Sequence, residues 1–343
     1  MACANFSRRE GPVAIVYDEE ALSGDAASRD VLEQMAAIEA TLNGLGAEPI
    51  RVEVDLDLRS FKHRLERLAP SLVFNLVESL DCSDRLQSVV PMLLESWDIP
   101  FTGSGSAAMA LSNHKIASKE RLLEAGLPAA PCFWLDKRGK LQYLAADESA
   151  ADAGDYIVKT IESHASLFID DASIMRSADA PAIAERLAAL AALHGTPFFA
   201  ERYVEGREFN ISVIETGQGL TILPPSEISF AGLPADKPRI VGYTAKWDEQ
   251  STEYLATPRS FDIPPGDAAL LDTLCELSTE TWRALGLAGY ARVDFRVDAS
   301  GRPFILEANA NPCLNPDAGL AAATERAGHD YAWLVTRIVE AAQ

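Results

Sequence analysis

The chain has 343 residues, of which 48% are hydrophobic and 24% charged, and its formal net charge is −21. This composition is ordinary for a globular protein of two or three compact units and argues against disorder. The acidic balance excludes nucleic acid as an expected partner, because contacts to a phosphate backbone require basic surface. Five cysteines without a Cys-x-x-Cys pair predict neither a disulfide framework nor a zinc site.

The start of the chain carries two arginines, but the apolar stretch that an export signal needs does not follow them. No run in the sequence approaches the ~18 apolar residues of a membrane-spanning helix. We therefore expect a cytoplasmic protein without a membrane anchor.

Strand and helix patterns alternate over the first third of the chain. The predicted elements are a strand at 13–17, a helix at 25–46, strands at 49–54 and 71–77, a helix at 86–97 and a short strand at 100–101. This β-α-β order is typical of an open parallel, Rossmann-like sheet. We predict an N-terminal α/β domain over residues 1–112.

The pattern then changes to α+β. A helix ending at 126, strands at 131–135, 141–145 and 156–160, and a helix begun by Asp179 and Pro181 predict a small central domain over 113–197. The last domain, 198–343, is predicted to contain strands at 198–203, 208–215 and 221–223, a loop at 230–265, a helix at 267–286, a hairpin and two terminal helices. A loop of that length is typical of a functional lid.

The predicted hairpin, residues 290–312, collects acids and amides on one face. In its first strand Arg292 and Asp294 alternate with apolar residues, and successive side chains of a strand point to opposite faces. In its second strand Ile305, Glu307 and Asn309 share one side. Acids and amides are poor strand formers, and their oxygens suit a hard cation. Either this face holds magnesium or it is a solvated hairpin face.

Six segments in order resemble the ATP-grasp superfamily and, within it, D-alanine:D-alanine ligase and its relatives. They are residues 101–104, 113–115, 157–159, 201–209 and 243–247 and the hairpin. The resemblance covers roughly residues 70 to 315. It implies an ATP-grasp fold in which the N-terminal domain lies on the substrate side and 113–197 and 198–343 form the two ATP-grasp subdomains.

The resemblance assigns roles to the lysines. It implies that Lys159 contacts the α and β phosphates of ATP and that Lys115 covers the nucleotide from the opposite side. Lys246 and Tyr243 would close over the γ-phosphate and the acyl intermediate. A solvated surface lysine is the alternative in each case. His114 replaces the aspartate that usually precedes the lysine at 115.

The nucleotide site is implied by further matches. The segment of Glu201, Arg202 and Val204 resembles the linker whose backbone pairs with adenine, and Glu208 matches the residue that binds the ribose hydroxyls. Glu208 could instead cap a helix or pair with Arg207.

Ser166 matches the serine of the family's phosphate-covering loop. Phe168 stands where glycine is usual, and this loop contains no glycine. We therefore expect weaker backbone contacts to phosphate and weaker ATP binding.

The implied chemistry is amide bond formation with release of ADP and phosphate. Asp294, Glu307 and Asn309 would hold two Mg²⁺ ions, with Mn²⁺ as a substitute metal. A substrate carboxylate would become an acyl phosphate and an amine would attack it. Arg292 and the backbone N–H of residue 313 would stabilise the oxyanion. A simple pairing of Arg292 with Asp294 is the alternative.

Departures from the family's pattern concentrate on the substrates. Glu78 and Ser79 replace the family's His-Gly, and the first loop, 18–21, lacks the pattern that grips the donor amine. Cys313 replaces a glycine, and the acceptor's serine is missing near Asp317. D-Alanine is therefore expected to be a poor acceptor, and a basic amino acid or an amine without a carboxylate a better one.

We thus predict a carboxylate–amine ligase with altered small-molecule substrates, whose identity the sequence leaves open, and a homodimer as one assembly. The alternatives are an ATP-dependent phosphotransferase and a catalytically weak ATP-binding protein of the same fold.

Overall fold

The computed structural model of the chain describes residues 11–18, 26–146, 153–163 and 166–342. Most of the predicted donor loop at 18–21 lies outside these residues. The helices and strands are, in chain order, β1 (Val13–Asp18), α1 (Ala26–Gly44), β2 (Pro49–Val54), α2 (Leu58–Leu68), β3 (Leu72–Asn75), α3 (Val89–Ser96), α4 (Ser106–Asn113), α5 (Lys115–Glu124), β4 (Cys132–Leu135), β5 (Leu141–Leu144), β6 (Gly154–Thr160), β7 (Ile174–Ala178), α6 (Ala180–His194), β8 (Phe198–Arg202), β9 (Gly206–Thr216), β10 (Gly219–Ile222), β11 (Ser226–Ile228), α7 (Tyr243–Trp247), α8 (Thr252–Ala256), β12 (Arg259–Ser260), α9 (Ala268–Leu285), β13 (Tyr290–Asp298), β14 (Pro303–Asn309), α10 (Gly319–Arg326) and α11 (Tyr331–Glu340).

The N-terminal sheet is parallel, in the order β2-β1-β3. A parallel bridge between Val73 and Phe101 extends it where the short strand was predicted. The predicted open parallel sheet is thereby confirmed. Ile15 of β1, Ile38 of α1 and Ile338 of α11 share one fully buried core. The C-terminal helix therefore packs on the N-terminal sheet and fixes it beside the hairpin.

The central sheet is antiparallel, in the order β5-β4-β8-β6-β7, and α6 packs on it. Its middle strand is β8, which begins just after the domain boundary predicted at residue 197. The sheet of the central unit therefore continues to Arg202. The helix predicted to end at residue 126 is α5, and the prediction missed α4, which precedes α5 and is separated from it by His114.

The third sheet has the order β12-β11-β9-β13-β14, with β10 paired to β9. The prediction of a loop without secondary structure over 230–265 was wrong, since α7, α8 and β12 lie within this range. These elements are only two to five residues long. They are too short for hydrophobic periodicity to reveal.

The hairpin contains a β-bulge that the predicted alternation missed. Asp294 lies opposite Glu307, but the next residue of β13 lies opposite Ile305, so Leu306 is an extra residue. A bulge shifts the alternation of faces by one position. Ile305 is therefore fully buried, and its predicted place on the polar face was wrong. Glu307 and Asn309 do line the cleft described below.

Within the described ranges, no helix is both long and apolar enough to cross a bilayer. The structure describes four cysteines, Cys82, Cys132, Cys275 and Cys313, and no disulfide joins any two of them.

Candidate active site

A cleft of about 1100 Å³ lies where the hairpin, the central sheet, the N-terminal sheet and the lid segment, residues 229–258, meet. Its walls contain all but one of the predicted site residues, namely Lys115, Lys159, Ser166, Glu201, Arg202, Val204, Glu208, Lys246, Arg292, Asp294, Glu307 and Asn309. The exception is Tyr243. It begins α7 and is 47% exposed, and the structure does not place it in the cleft wall.

The acids and amides of the hairpin meet because three neighbouring strands contribute them. Asp294 of β13 faces Glu307 of β14 on one side and Asn210 of β9 on the other. Asn210 Nδ2 donates to Asp294 Oδ1 at 2.7 Å, and Asn309 Nδ2 donates to Asp294 Oδ2 at 3.1 Å. Asp294 is only 6% exposed, so this network fixes a buried carboxylate.

Arg292 forms a bidentate pair with the same carboxylate. Its Nε and Nη2 donate to Asp294 Oδ1 and Oδ2 at 2.7 and 2.8 Å. Burial opposes the charge of the guanidinium, but Asp294 outweighs it and raises the pKa of Arg292. The pairing considered as an alternative is therefore present, and both partners also line the cleft. A guanidinium has five N–H donors, so others remain for a ligand.

The oxygen atoms at this end of the hairpin suit a hard cation, but both Asp294 oxygens already accept two hydrogen bonds each, and a cation would replace one of them. Asp294 and Glu307 supply two carboxylates, and the donation from Asn309 Nδ2 leaves its Oδ1 as a ligand atom. In the part of the chain that the structure describes, no group of three His, Cys, Asp or Glu side chains could hold a metal. A cation here would therefore depend on the amide oxygen and on oxygens of a bound phosphate.

Lys159 is held by a buried carboxylate. Its Nζ donates to Glu201 Oε2 at 2.7 Å, and the other oxygen of Glu201 pairs with the fully buried Lys119. Burial opposes the charges of both Lys159 and Glu201. Their attraction outweighs it, so the pKa of Lys159 is raised and that of Glu201 is lowered. The Glu201 side chain thus positions a lysine.

Lys115 opens α5 and is 8% exposed. Its Nζ donates to the Ser163 carbonyl at 2.6 Å. Burial lowers the pKa of Lys115, against the attraction of Glu307. His114 Nδ1 accepts the Ala117 N–H at 3.1 Å, which is the helix-capping bond that an aspartate would also make.

The residues of the segment predicted to pair with adenine differ in whether their backbone N–H groups are already hydrogen-bonded. Arg202 is the last residue of β8, and its N–H donates to the Pro131 carbonyl at 2.7 Å. The Val204 carbonyl accepts Arg296 Nε at 3.0 Å, whereas the Val204 N–H has no partner among the residues described. Val204 is therefore the residue of this segment whose amide can still meet a base.

Glu208 faces the same region from β9. Arg296 Nη1 lies 3.1 Å from Glu208 Oε2, and burial raises the pKa of the Glu208 carboxyl. Arg207, the alternative partner, instead binds both oxygens of Glu227 at 2.7 Å. The carboxylate of Glu208 therefore stays at the cleft.

The phosphate-covering loop is joined to the lid segment. Ser166 and Phe168 have φ angles of 59° and 61°, a left-handed conformation that glycine adopts most readily. Non-glycine residues thus take the shape expected of glycine. Ser166 Oγ donates to the Val241 carbonyl and the Tyr243 N–H to the Ile169 carbonyl, both at 2.9 Å. These bonds hold the lid segment against the loop.

Lys246 lines the cleft from α7 with an exposed side chain. The surrounding walls desolvate it even though one side is open, and this desolvation, followed by repulsion from Arg292, lowers its pKa. Glu307 and Glu78 act in the opposite direction. Lys246 therefore stands between the carboxylates of the hairpin and the N-terminal sheet.

The turn after the hairpin is bound to α1. Cys313 Sγ donates to Asp30 Oδ2 at 3.1 Å, and Asn315 Nδ2 donates to Asp30 Oδ1 at 2.8 Å. Burial raises the pKa of the Cys313 thiol, so the sulfur is a neutral donor in this contact. The residue that replaces the family's glycine thus anchors the turn.

Arg259 lies at the predicted acceptor end of the cleft. Its Nη1 donates to the Asp317 carbonyl at 3.3 Å, and its exposed guanidinium has no ion pair among the described residues. Burial of the surrounding wall and then repulsion from Arg292 lower the pKa of Arg259. The sequence predicted only the negative charge of Asp317 here, but this end of the cleft carries charges of both signs.

Sequence reasoning missed several residues of the site. Lys119 follows Lys115 by four positions and so shares its helix face, which was a readable signal. Asn210 follows Glu208 by two positions and so shares its strand face. Arg259 gave no signal, because only the fold brings β12 to the turn after the hairpin.

Comparison with known proteins supports one family. The family model described as D-ala D-ala ligase C-terminus matches residues 173–340. A D-alanine–D-alanine ligase of Moorella thermoacetica is 30% identical over 330 residues, which cover 94% of this chain and 97% of that protein. One of Bordetella petrii is 27% identical over 335 residues, or 97% and 92% of the two chains.

A solved structure supports the same fold. The D-alanine–D-alanine ligase of Bacillus anthracis complexed with ATP has a TM-score of 0.72 and 18% identity, and the match covers 96% of this chain and 97% of that one. The fold is therefore that of the ATP-grasp ligases, as the sequence predicted. Together with the likeness over nearly the full length of the Moorella protein, this means that the chain belongs to the D-alanine–D-alanine ligase family and is an ATP-dependent ligase.

Proposed function

We propose that the protein joins a carboxylate to an amine through an acyl phosphate, releasing ADP and phosphate. The observation that carries this proposal is the meeting of Lys159, Lys246 and Arg292 with the Asp294–Glu307 pair in one cleft. Cations bind phosphate and stabilise an oxyanion, and paired carboxylates suit a phosphate-bound metal. The site needs no acid–base triad for the phosphoryl step.

The phosphates of ATP would meet Lys115 and Lys159, whose positions are fixed by a carbonyl and by Glu201. Glu208 and the free Val204 N–H suit the ribose and the base. Asp294, Glu307 and Asn309 would hold Mg²⁺, which when bound neutralises charge on the transferring phosphoryl group.

Arg292 and Lys246 serve the second half of the reaction in this proposal. Arg292 is preorganised by its bidentate pair, so its remaining donors can meet the oxyanion without reorganisation. When the lid segment closes, Lys246 contacts the γ-phosphoryl group on ATP and then the same group on the acyl phosphate. The resemblance also assigns a closing contact to Tyr243, but its exposed position in α7 does not support one in this conformation.

The acceptor that fits best is a basic amino acid. Asp317 and Arg259 line the same end of the cleft, so it offers one acid and one cation. An acceptor with a carboxylate for Arg259 and a cationic side chain for Asp317 satisfies both charges. D-Alanine satisfies only Arg259. An amine without a carboxylate satisfies only Asp317.

ADP release tests the proposal. The protein is incubated with ATP and Mg²⁺, with a panel of D- and L-amino acids as carboxylates, each alone and with amines that include lysine and D-alanine. We expect ADP release that depends on both substrates and a product with the mass of an amide. A phosphorylated carboxylate that accumulates in place of an amide would indicate a phosphotransferase. ATP binding without ADP release under every mixture would indicate a binding protein.

A further inference from the structure

Glu78 lies where the N-terminal sheet meets the catalytic turn. It follows β3 by three residues, at the carboxyl edge of the parallel sheet, where ligands of open α/β sheets bind. The preceding carbonyl, of Val77, accepts Asn311 Nδ2 at 3.4 Å, and Asn311 Oδ1 accepts the Tyr290 hydroxyl at 2.6 Å. These contacts hold Glu78 beside the turn whose residue 313 supplies the proposed oxyanion N–H.

The carboxylate of Glu78 lines the cleft and is partly buried. It has no hydrogen bond or ion pair to any residue that the structure describes, and only its backbone N–H is bonded, to Asp18 Oδ2 at 3.4 Å. A partly buried acid without a partner costs folding free energy. Such an acid in a substrate cleft indicates that a bound substrate supplies the partner that the folded chain does not.

The groups that face Glu78 come from every side of the cleft. Burial disfavours its charged form most, and Asp30 of α1, Asp18 of β1 and Asp84 repel it. Lys246 of α7 attracts it. Together these effects raise the pKa of Glu78 to about 7. The group therefore exchanges a proton near neutral pH, where a general base works best.

Several other acids at this cleft are already engaged within the chain. Those with cationic or hydrogen-bond partners are Asp30, Glu201, Glu208 and Asp294. Its two lysines lower the pKa of Glu201, so this carboxylate is a poor base. The pKa of Glu78, by contrast, is raised, and its carboxylate has no hydrogen bond or ion pair to a residue that the structure describes.

We propose that Glu78 accepts the proton that the attacking amine must lose. This inference rests on the proposed ligase function. The acceptor arrives as an ammonium ion, and one N–H proton passes to a Glu78 carboxylate oxygen. The freed lone pair on nitrogen forms the C–N bond to the acyl carbon. The C–O bond to phosphate then breaks, and the second proton leaves with the phosphate.

Hydroxylamine separates this step from acyl phosphate formation, because it is largely unprotonated at neutral pH and attacks acyl phosphates without a base. Wild type, Glu78→Gln and Glu78→Asp are assayed with ATP, Mg²⁺ and the amino-acid panel, once with hydroxylamine and once with lysine as acceptor. We expect Glu78→Gln to keep hydroxamate formation within about 3-fold of wild type. Its ligation to lysine should fall by roughly 10²–10⁴-fold, the usual contribution of a general base. Glu78→Asp should retain part of the activity.

The pH profile adds a readout that a structural role would not change. Ligation by wild type should rise as the pH rises through about 7, because the deprotonated carboxylate is the active form. This rise should be absent in Glu78→Gln, whereas the exposed Glu66→Gln of α2 should follow wild type.

Three results would overturn the role of Glu78. These are unchanged ligation by Glu78→Gln, an equal loss of hydroxamate formation and ligation, and an unchanged pH profile. If wild type itself forms no hydroxamate with any carboxylate of the panel, it is the proposed ligase function that fails.

Discussion

The charged residues on the two walls of the cleft differ in their pairing. The ATP wall is formed by the hairpin and the central sheet, and the substrate wall by Glu78, Arg259 and the turn after the hairpin. On the ATP wall each buried charge has a partner from the chain, as in the pairs of Arg292 with Asp294 and of Lys159 with Glu201. On the substrate wall Glu78 and Arg259 have no ion pair among the described residues. A paired wall is rigid before any ligand binds, whereas an unpaired wall leaves charges for a ligand to satisfy.

This difference coincides with the resemblance to the family. Four of the six matching segments contribute to the ATP wall, namely 113–115, 157–159, 201–209 and the hairpin, and the departures at Glu78, Cys313 and Asp317 lie on the substrate wall. The chemistry common to the family thus rests on charges that the fold neutralises internally. The choice of substrate rests on charges that it leaves open.

The largest expected effect is loss of Glu307, the proposed metal ligand on the ATP wall. Glu307→Gln should abolish ATP turnover, with a loss of roughly 10³-fold or more, because it removes one of two carboxylates that would hold Mg²⁺. The fold should stay intact in thermal unfolding. The exposed Glu205→Gln is the matched control. Near-normal turnover of Glu307→Gln with unchanged Mg²⁺ dependence would contradict the metal assignment.

Much of this wall could be predicted from sequence because its signals are local. Asp294, Glu307 and Asn309 were assigned from strand alternation, and the prediction failed at Ile305 only because a bulge inserts one residue. Alternation contains no information about a bulge until the partner strand is known.

The substrate wall was less predictable, because its geometry depends on long-range contacts. Arg259 meets the turn at Asp317, 58 residues further along the chain. The unpaired state of Glu78 is a property of the assembled cleft. Sequence could flag the replacement at Glu78 as a departure from the family, but not its missing partner.

The internal pairing of the ATP wall can be broken at Glu201. Glu201→Leu would leave Lys119 and Lys159 as buried cations without their shared carboxylate. Removing one partner of a buried pair costs about 3–5 kcal/mol of unfolding free energy. Urea denaturation measures the cost, with Glu205→Leu as the exposed control. A loss below about 1 kcal/mol would mean that the wall does not depend on this pairing.

Lys246 belongs to the lid segment, between the two walls. Lys246→Ala should lower kcat by roughly 100-fold and weaken nucleotide binding much less, because lid contacts form mainly in the closed state. Steady-state kinetics and equilibrium ATP binding provide the comparison. Equal losses in both would place Lys246 in the ground-state nucleotide site.

The unpaired guanidinium of Arg259 allows the contrast between the two walls to be tested through specificity for the acceptor. Arg259→Gln should lower kcat/KM for lysine as acceptor by about 10-fold, and change that for a diamine without a carboxylate little, because only lysine offers Arg259 a carboxylate. Competition between the two acceptors, analysed by mass spectrometry, measures the ratio. Equal effects on both would show that Arg259 does not bind the acceptor carboxylate.

The smallest effect concerns stability at Glu78. Its pKa is raised to about 7 in the folded chain, so the native state binds more protons than the unfolded state between pH 4.5 and 7. The contribution of Glu78 to the free energy of unfolding is therefore lost as the pH rises from 4.5 through 7. The free energy of unfolding of Glu78→Gln should exceed that of wild type by about 1 kcal/mol at pH 8 and should differ little from it at pH 4.5. A destabilised Glu78→Gln at pH 8 would mean that Glu78 has a partner in solution.

Transfer of labelled oxygen tests the acyl phosphate most directly. The donor carboxylate is labelled with heavy oxygen and incubated with ATP, Mg²⁺, the acceptor and the wild-type protein. If the carboxylate attacks the γ-phosphorus and the amine then displaces phosphate, one labelled oxygen must appear in the released phosphate for each amide formed. Amide formation that leaves the phosphate unlabelled would contradict the acyl phosphate route.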